Sequence, residues 1–138
     1  MKIKLLIFKI SNGMAKTILI VEDDTFLQGL ESAKLKKEGY NILTAVNSVE
    51  AFKAIEERKN KIDLILLDLL LPEVDGFMIL EKIRQEKELL TIPVIVFSNL
   101  SEEKDIKRAR KLGISEFLVK SNFTLDELAK KVKDLIGV

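Results

Sequence analysis

A chain of 138 residues with 47% apolar and 33% charged side chains is long enough for one well-packed domain and has the composition of an ordinary globular protein. Its formal charge of +1, from 23 basic and 22 acidic residues, gives no electrostatic basis for binding nucleic acid or an anionic membrane. Cysteine and histidine are both absent, which excludes disulfides, thiolate nucleophiles, sulfur metal sites and histidine-based acid–base catalysis. Chemistry on this chain must come from carboxylates, hydroxyls, amides, lysines or a bound metal.

The first stretch, MKIKLLIFKISNG, is the odd one. Its apolar run Leu5–Phe8 is interrupted by Lys9, far short of the ~20 residues that a spanning helix needs. It has no convincing cleavage site for a signal peptide, and Met14 follows directly. Residues 1–14 are therefore expected to be an extension, with a short membrane or partner anchor as the rival reading, and residues 15–138 one domain. A cytoplasmic location is the default expectation.

TILIV (Thr17–Val21) lacks polar alternation, the pattern of a strand buried on both faces. A helix follows, with Thr25 and Gln28 spaced as a capping box, Phe26, Leu30 and Ala33 as its expected inward stripe, and Gly39 as its stop. NILTAV (Asn41–Val46) reads as strand two. Asn47 and Glu50 open the next helix, with Ala51, Phe52 and Ile55 inward. IDLILL (Ile62–Leu67) is strand three, and Phe77, Leu80 and Ile83 mark a helix after Gly76. Pro93 begins strand four, PVIVFS, since proline is tolerated at a strand's first residue. Ser101 is the expected cap of a helix carrying Ile106, Ala109 and Leu112, ended by Gly113. EFLV (Glu116–Val119) is strand five, and Thr124 with Glu127 caps a last helix bearing Leu125, Leu128, Val132 and Leu135. Five strands alternating with five helices predict an α/β domain, a parallel sheet with helices on both faces.

One acid stands out. Asp68 follows a run of leucine and isoleucine, where an unpaired buried carboxylate costs several kcal/mol. In an open α/β sheet the carboxyl ends of the strands form the ligand crevice. Asp68 ends strand three, Glu22 and Asp23 end strand one, Ser98 ends strand four and Lys120 ends strand five. Turn and cap preferences explain any one of these and suffice for Asp24. They explain the set poorly. Three converging carboxylates repel one another, and a divalent cation with oxygen ligands, Mg²⁺, resolves the repulsion. A carboxylate is also a nucleophile toward phosphoryl groups, a transfer that needs positioning and charge neutralisation rather than a histidine on this chain.

The pieces ILIVEDD (18–24), DLILLDLLLPEVDGF (63–77), VIVFS (94–98) and EFLVK (116–120), in this order and spacing, resemble the receiver domain of bacterial response regulators. The resemblance covers nearly everything after Ala15. It implies a flavodoxin-like (βα)₅ doubly wound fold with strand order 2-1-3-4-5. It further implies that Asp68 is the phosphoacceptor and that Asp23 holds Mg²⁺ directly. Glu22 would act through water, the third protein ligand being the Leu70 carbonyl; sliding the acidic pair to Asp23 and Asp24 is the alternative register. Ser98 would donate to the phosphoryl group, Lys120 would pair with it, and Phe117 would be the aromatic switch residue moving with Ser98. The implied partners are a histidine kinase or histidine phosphotransfer protein and a downstream protein target, with neither nucleic acid nor membrane bound by this chain. It is expected to be a monomer or weak homodimer, and no enzyme beyond its own phosphorylation and slow dephosphorylation. With the last helix ending at Val138, it is expected to act alone, by changing which protein it binds.

Three departures from the family pattern bear on activity: Ser121 in place of proline, Asn99 in place of a small residue, and apolar Leu70 and Leu100 at often polar positions. The Lys120–Ser121 bond is expected to be trans, because cis costs ~2.5–4 kcal/mol before a residue other than proline. Three rivals are weighed. An aspartate-nucleophile phosphohydrolase typically has a second acid two residues after the nucleophile, where this chain has Leu70. A flavodoxin-like cofactor binder needs a phosphate-cradling loop where Glu22, Asp23 and Asp24 stand. A scaffold that is never phosphorylated fits poorly with the complete set Asp68, Ser98 and Lys120. Lys104, Lys107, Arg108, Arg110 and Lys111 on the fourth helix read as a solvated face, or as a surface for an acidic partner.

Overall fold

The apolar runs form one parallel sheet of five strands: β1 (Thr17–Val21), β2 (Asn41–Ala45), β3 (Leu64–Leu67), β4 (Val94–Ser98) and β5 (Glu116–Val119). The computed structural model describes residues 15–137, so the expectation for residues 1–14 lies outside the described residues. Five helices connect the strands and close the chain: α1 (Thr25–Lys37), α2 (Ser48–Arg58), α3 (Gly76–Gln85), α4 (Glu103–Lys111) and α5 (Leu125–Ile136). The strand order is β2-β1-β3-β4-β5.

The two-residue period of the strands divides the core. Leu19, Val21, Ile65, Leu67, Val96 and Phe117 point to one face, against Ile55 of α2, Leu80 and Ile83 of α3 and Ala109 of α4. Ile18, Ile20, Leu64, Leu66, Phe97 and Leu118 point to the other, against Leu35 of α1 and Leu128 and Val132 of α5. Both faces are dry, which is why these strands carry no polar alternation. Fully burying each Leu, Ile or Val stabilises the fold by ~1.5–3 kcal/mol relative to exposure. Among the described residues no helix is long and apolar enough to cross a membrane.

Two caps form where the sequence places them. Asn47 accepts from the Glu50 amide at 2.9 Å, and Thr124 and Glu127 bond reciprocally at 3.1 and 3.0 Å. Two do not. Asp24 caps α1 by accepting from the Leu27 amide at 3.1 Å, leaving Thr25 as the first helical residue. At α4 the chain becomes helical one residue later than expected, so Glu102 rather than Ser101 is the cap, with its carbonyl taking the first helical bonds.

The larger correction is the inner face of α1. Phe26 is 77% and Leu30 44% exposed, and Ala33 is exposed as well; the buried residues are Gln28, Glu31 and Leu35. Leu27, Glu31 and Leu35 form a second stripe at helical spacing, and the sheet selects it through Leu35. Leu135 also lies outward, in the last turn of α5 beyond Val132.

Candidate functional site

In the order β2-β1-β3 the connections from β1 and β3 leave toward opposite sides, opening a crevice at their carboxyl ends. Asp68 is the first residue past β3, and its amide donates to the Val21 carbonyl of β1 at 3.0 Å. It is only 5% exposed. Its Oδ1 accepts from the Ser98 hydroxyl at 2.6 Å and the Leu70 amide at 2.9 Å, and its Oδ2 accepts from Lys120 Nζ at 2.6 Å. These donors, one of them a cation, offset the cost of placing a carboxylate there.

Lys120 extends from the end of β5 and also donates to Glu22 Oε1 at 2.5 Å. The other Glu22 oxygen accepts from the Asp24 amide at 3.2 Å. Burial holds the Glu22 carboxyl above its usual range; the Lys120 hydrogen bond opposes that and the charge of Asp68 adds to it. Burial alone would lower Lys120, but its bonds to Asp68 and Glu22 outweigh that and keep it raised. Carboxylate oxygens of Glu22, Asp23 and Asp68 lie within 4.8 Å of one another, with Asp23 exposed. Lys120 neutralises one of three negative charges. This donor set, all oxygen and open to solvent at Asp23, fits a hard divalent cation.

Two residues after Asp68, Leu70 forms an isolated bridge with Asp75 and turns its side chain outward. The loop closes tightly: a Cβ on Gly76 would stand 2.5 Å from both the Cα and the carbonyl oxygen of Leu69, so only glycine fits. Asp75 then caps α3 through the Phe77 amide at 2.9 Å. Ser98 is fully buried and accepts from the Leu100 amide at 3.2 Å. Phe117 lies within the core on the α2–α4 face, away from the rim, while Leu100 packs at its edge and Asn99 is exposed. The Lys120–Ser121 bond is trans, like every peptide bond among the described residues, and Lys120–Asn122 forms a 3₁₀ turn that carries Lys120 toward Asp68.

The structure thus brings Glu22, Asp23, Asp68, Ser98 and Lys120 together, with Leu70 beside them and Phe117 apart. Of the basic residues of α4, Lys104 and Lys107 pair with Glu102 and Glu103. Arg108 pairs with Asp75 and Glu81 and lies over the Phe77 ring at 4.1 Å. Sequence reasoning gave Gln28 a capping role with Thr25 and missed Glu31; both are buried on α1, and the Gln28 carboxamide bonds Glu22 O and Ala45 O instead. Glu31 is 1% exposed, its Oε1 has no hydrogen-bond partner, and its carboxyl is pushed up to about 8 by burial and then by the charge of Glu22. The only signal for it was an acid at helical spacing between Leu27 and Leu35.

Fold and rim define a doubly wound α/β domain with an acid-lined crevice. The chain belongs to the response regulator receiver domain family, whose model matches residues 18–133. It is 38% identical over 120 residues to the transcriptional regulatory protein KdpE of Staphylococcus aureus, covering 87% of this chain and 49% of that protein. The chain spans about half the length of the curated relatives it matches. Among solved structures, the non-phosphorylated HemR receiver domain of Leptospira biflexa superposes with a TM-score of 0.81 at 29% identity, over 89% of this chain and 95% of that one. The receiver domain of the sensor histidine kinase PA1611 of Pseudomonas aeruginosa, with a magnesium ion coordinated in its active-site cleft, superposes with a TM-score of 0.77 at 27% identity, over 90% of this chain and 99% of that one.

Proposed function

We propose that this receiver domain accepts a phosphoryl group on Asp68 from a phosphohistidine of a histidine kinase or histidine phosphotransfer protein, and changes its protein-binding surface in response. The observation that carries the reading is the buried Asp68 carboxylate, held by Ser98, Leu70 and Lys120 within reach of two further acids. An Asp68 oxygen attacks phosphorus, the bond from phosphorus to the donor's imidazole nitrogen breaks, and its electron pair stays on that nitrogen. Asp68 needs no deprotonation when it attacks as the carboxylate. Lys120 and Ser98, which already donate to Asp68, turn to the phosphoryl oxygens. Asp23, Asp68 and the Leu70 carbonyl would hold Mg²⁺, with Glu22 acting through water, and the cation would supply the positive charge that these oxygens require. A protein donor is supported by the apolar surface beside the rim, where Leu27, Leu30, Phe97 and Phe123 line a groove that reaches Lys120, and Phe26 on the same helix is exposed.

The modification adds about 1.5 to 2 negative charges at neutral pH. Ser98 follows the phosphoryl group, Phe117 moves into the space it leaves, and the surface of α4, β5 and α5 is redistributed. The domain turns over no external substrate. The test is intact-mass measurement after incubation with a small acyl phosphate, with and without Mg²⁺. One phosphoryl group per chain is expected, only with the cation and not in Asp68→Asn. Label persisting in Asp68→Asn refutes the assignment, and an unlabelled wild type favours the scaffold reading.

A further inference from the structure

Gln28 is buried on α1, and its side-chain nitrogen donates to two backbone oxygens, Glu22 O and Ala45 O, each at 3.1 Å. Neither bond belongs to a helix or to the sheet ladder. Ala45 ends β2 and Glu22 follows β1, and the Glu22 amide already donates to the same Ala45 oxygen at 3.0 Å. Both partners of the carboxamide are carbonyl oxygens, so only a donor bonds them there. Without it Ala45 O keeps the Glu22 amide, whereas Glu22 O loses its bond to Gln28, which is costly for a buried carbonyl. The backbone amide of Gln28 donates to Asp24 O at 2.8 Å. One residue therefore grips the acidic turn at both ends, by side chain at Glu22 and by main chain at Asp24.

The carbonyl of Glu22 belongs to the peptide plane that joins Glu22 to Asp23. A peptide unit is rigid and leaves only φ and ψ free. The planes on either side are held as well, by the Glu22 amide on Ala45 O and the Asp24 amide on Glu22 Oε2, so holding this one sets the directions from which both side chains leave the backbone. We propose that Gln28 is a positioning residue for the acidic rim, holding the Glu22–Asp23 peptide so that both carboxylates face Asp68 before a cation arrives. Its contribution is to cation affinity, and through that to phosphoryl capture; it touches neither the cation nor the phosphoryl group. This rests on reading the rim as a cation-assisted phosphoacceptor.

The test uses the full chain and three proteins: wild type, Gln28→Met and Leu35→Ala. Methionine keeps the length of glutamine but donates nothing. Leu35 is buried on the same helix far from the rim, so its truncation controls for lost stability alone. Mg²⁺ affinity is read from the shifts of the Glu22, Asp23 and Asp68 amides, and phosphorylation by acyl phosphate from intact mass. Gln28→Met is expected to weaken Mg²⁺ binding about tenfold, the scale for groups that orient metal ligands. Its phosphorylation should slow at low Mg²⁺ and recover as Mg²⁺ saturates. Leu35→Ala should lose stability yet stay within about twofold of wild-type affinity, as expected for sites that share no partners. Wild-type affinity in Gln28→Met overturns the proposal, and equal weakening in Leu35→Ala reduces the effect to general destabilisation and overturns it too. A wild type whose rim amides ignore Mg²⁺ removes the reading of the rim, and the positioning role with it.

Discussion

Glu31 makes the stability of this domain depend on pH in a direction opposite to that of a salt-bridged carboxylate. Its carboxyl is buried, unpaired at Oε1 and raised from 4.5 to about 8. Below pH 4.5 the group is protonated in both folded and unfolded chains and contributes no pH dependence. Between 4.5 and about 8 the unfolded chain gives up the proton while the folded one keeps it, so stability falls as pH rises. Each pH unit in that window is worth ~1.4 kcal/mol, which puts an upper limit of ~5 kcal/mol at stake by pH 9. Local relaxation and water entry reduce this, so the loss is expected to fall below that limit while keeping its sign. The assay is urea unfolding of wild type, Glu31→Gln and Glu31→Leu at pH 5, 7 and 9. Glutamine has nearly the same shape and does not titrate, so its advantage over wild type should be small at pH 5 and largest at pH 9. Leucine removes the orphan oxygen and should stabilise the fold across the range. A difference between wild type and Glu31→Gln that stays flat from pH 5 to 9 refutes the reasoning, because it means that the carboxyl titrates alike in both states.

Lys120→Met should cost ~3 kcal/mol in metal-free buffer, since it leaves the buried Asp68 and Glu22 carboxylates without their shared cation. Thermal unfolding should show much of this loss recovered in millimolar Mg²⁺, and an equal loss with and without Mg²⁺ refutes that compensation. For the phosphorylated state, Leu70 and Leu100 offer no side-chain hydrogen bond to orient an attacking water, and Leu70 is 48% exposed beside Asp68. Leu70→Asn with Leu100→Glu should shorten the lifetime of the label by up to ~10-fold per ~1.4 kcal/mol of transition-state stabilisation gained, as followed by intact mass; unchanged decay moves attention to Asn99.

The strands and the rim were legible because topology leaves them little freedom. A strand buried on both faces must read as an apolar run, and a parallel α/β sheet puts the ends of such runs on one edge. A polar residue just past each run is therefore placed by its position in sequence alone. Asp68, Ser98 and Lys120 meet through sheet register, and no pairwise signal between them was needed to expect it. The strand order had a different source, resting on the resemblance, since alternation of strands and helices does not choose which strand is the edge.

The face of α1 was not legible, and the reason is physical. Phe26, Leu30 and Ala33 make one stripe of helical period, while Leu27, Glu31 and Leu35 make another about 100° around the helix. Counting apolar residues favours the first stripe, but the helix is set by its contacts at both ends. At the lower end Leu35 enters the core; at the upper end Gln28 takes two backbone oxygens that no apolar side chain can satisfy. The rule that apolar residues point inward holds where the neighbouring layer is dry. Beside a charged crevice the neighbouring layer has carbonyls outside the sheet ladder and an electrostatic field, so the inward positions there favour donors and tolerate a protonated acid. The same reversal leaves Phe26 and Leu30 exposed on the outside of the helix. Polar groups inside α1 and apolar groups outside it are thus two consequences of one cause, the helix's position against the rim.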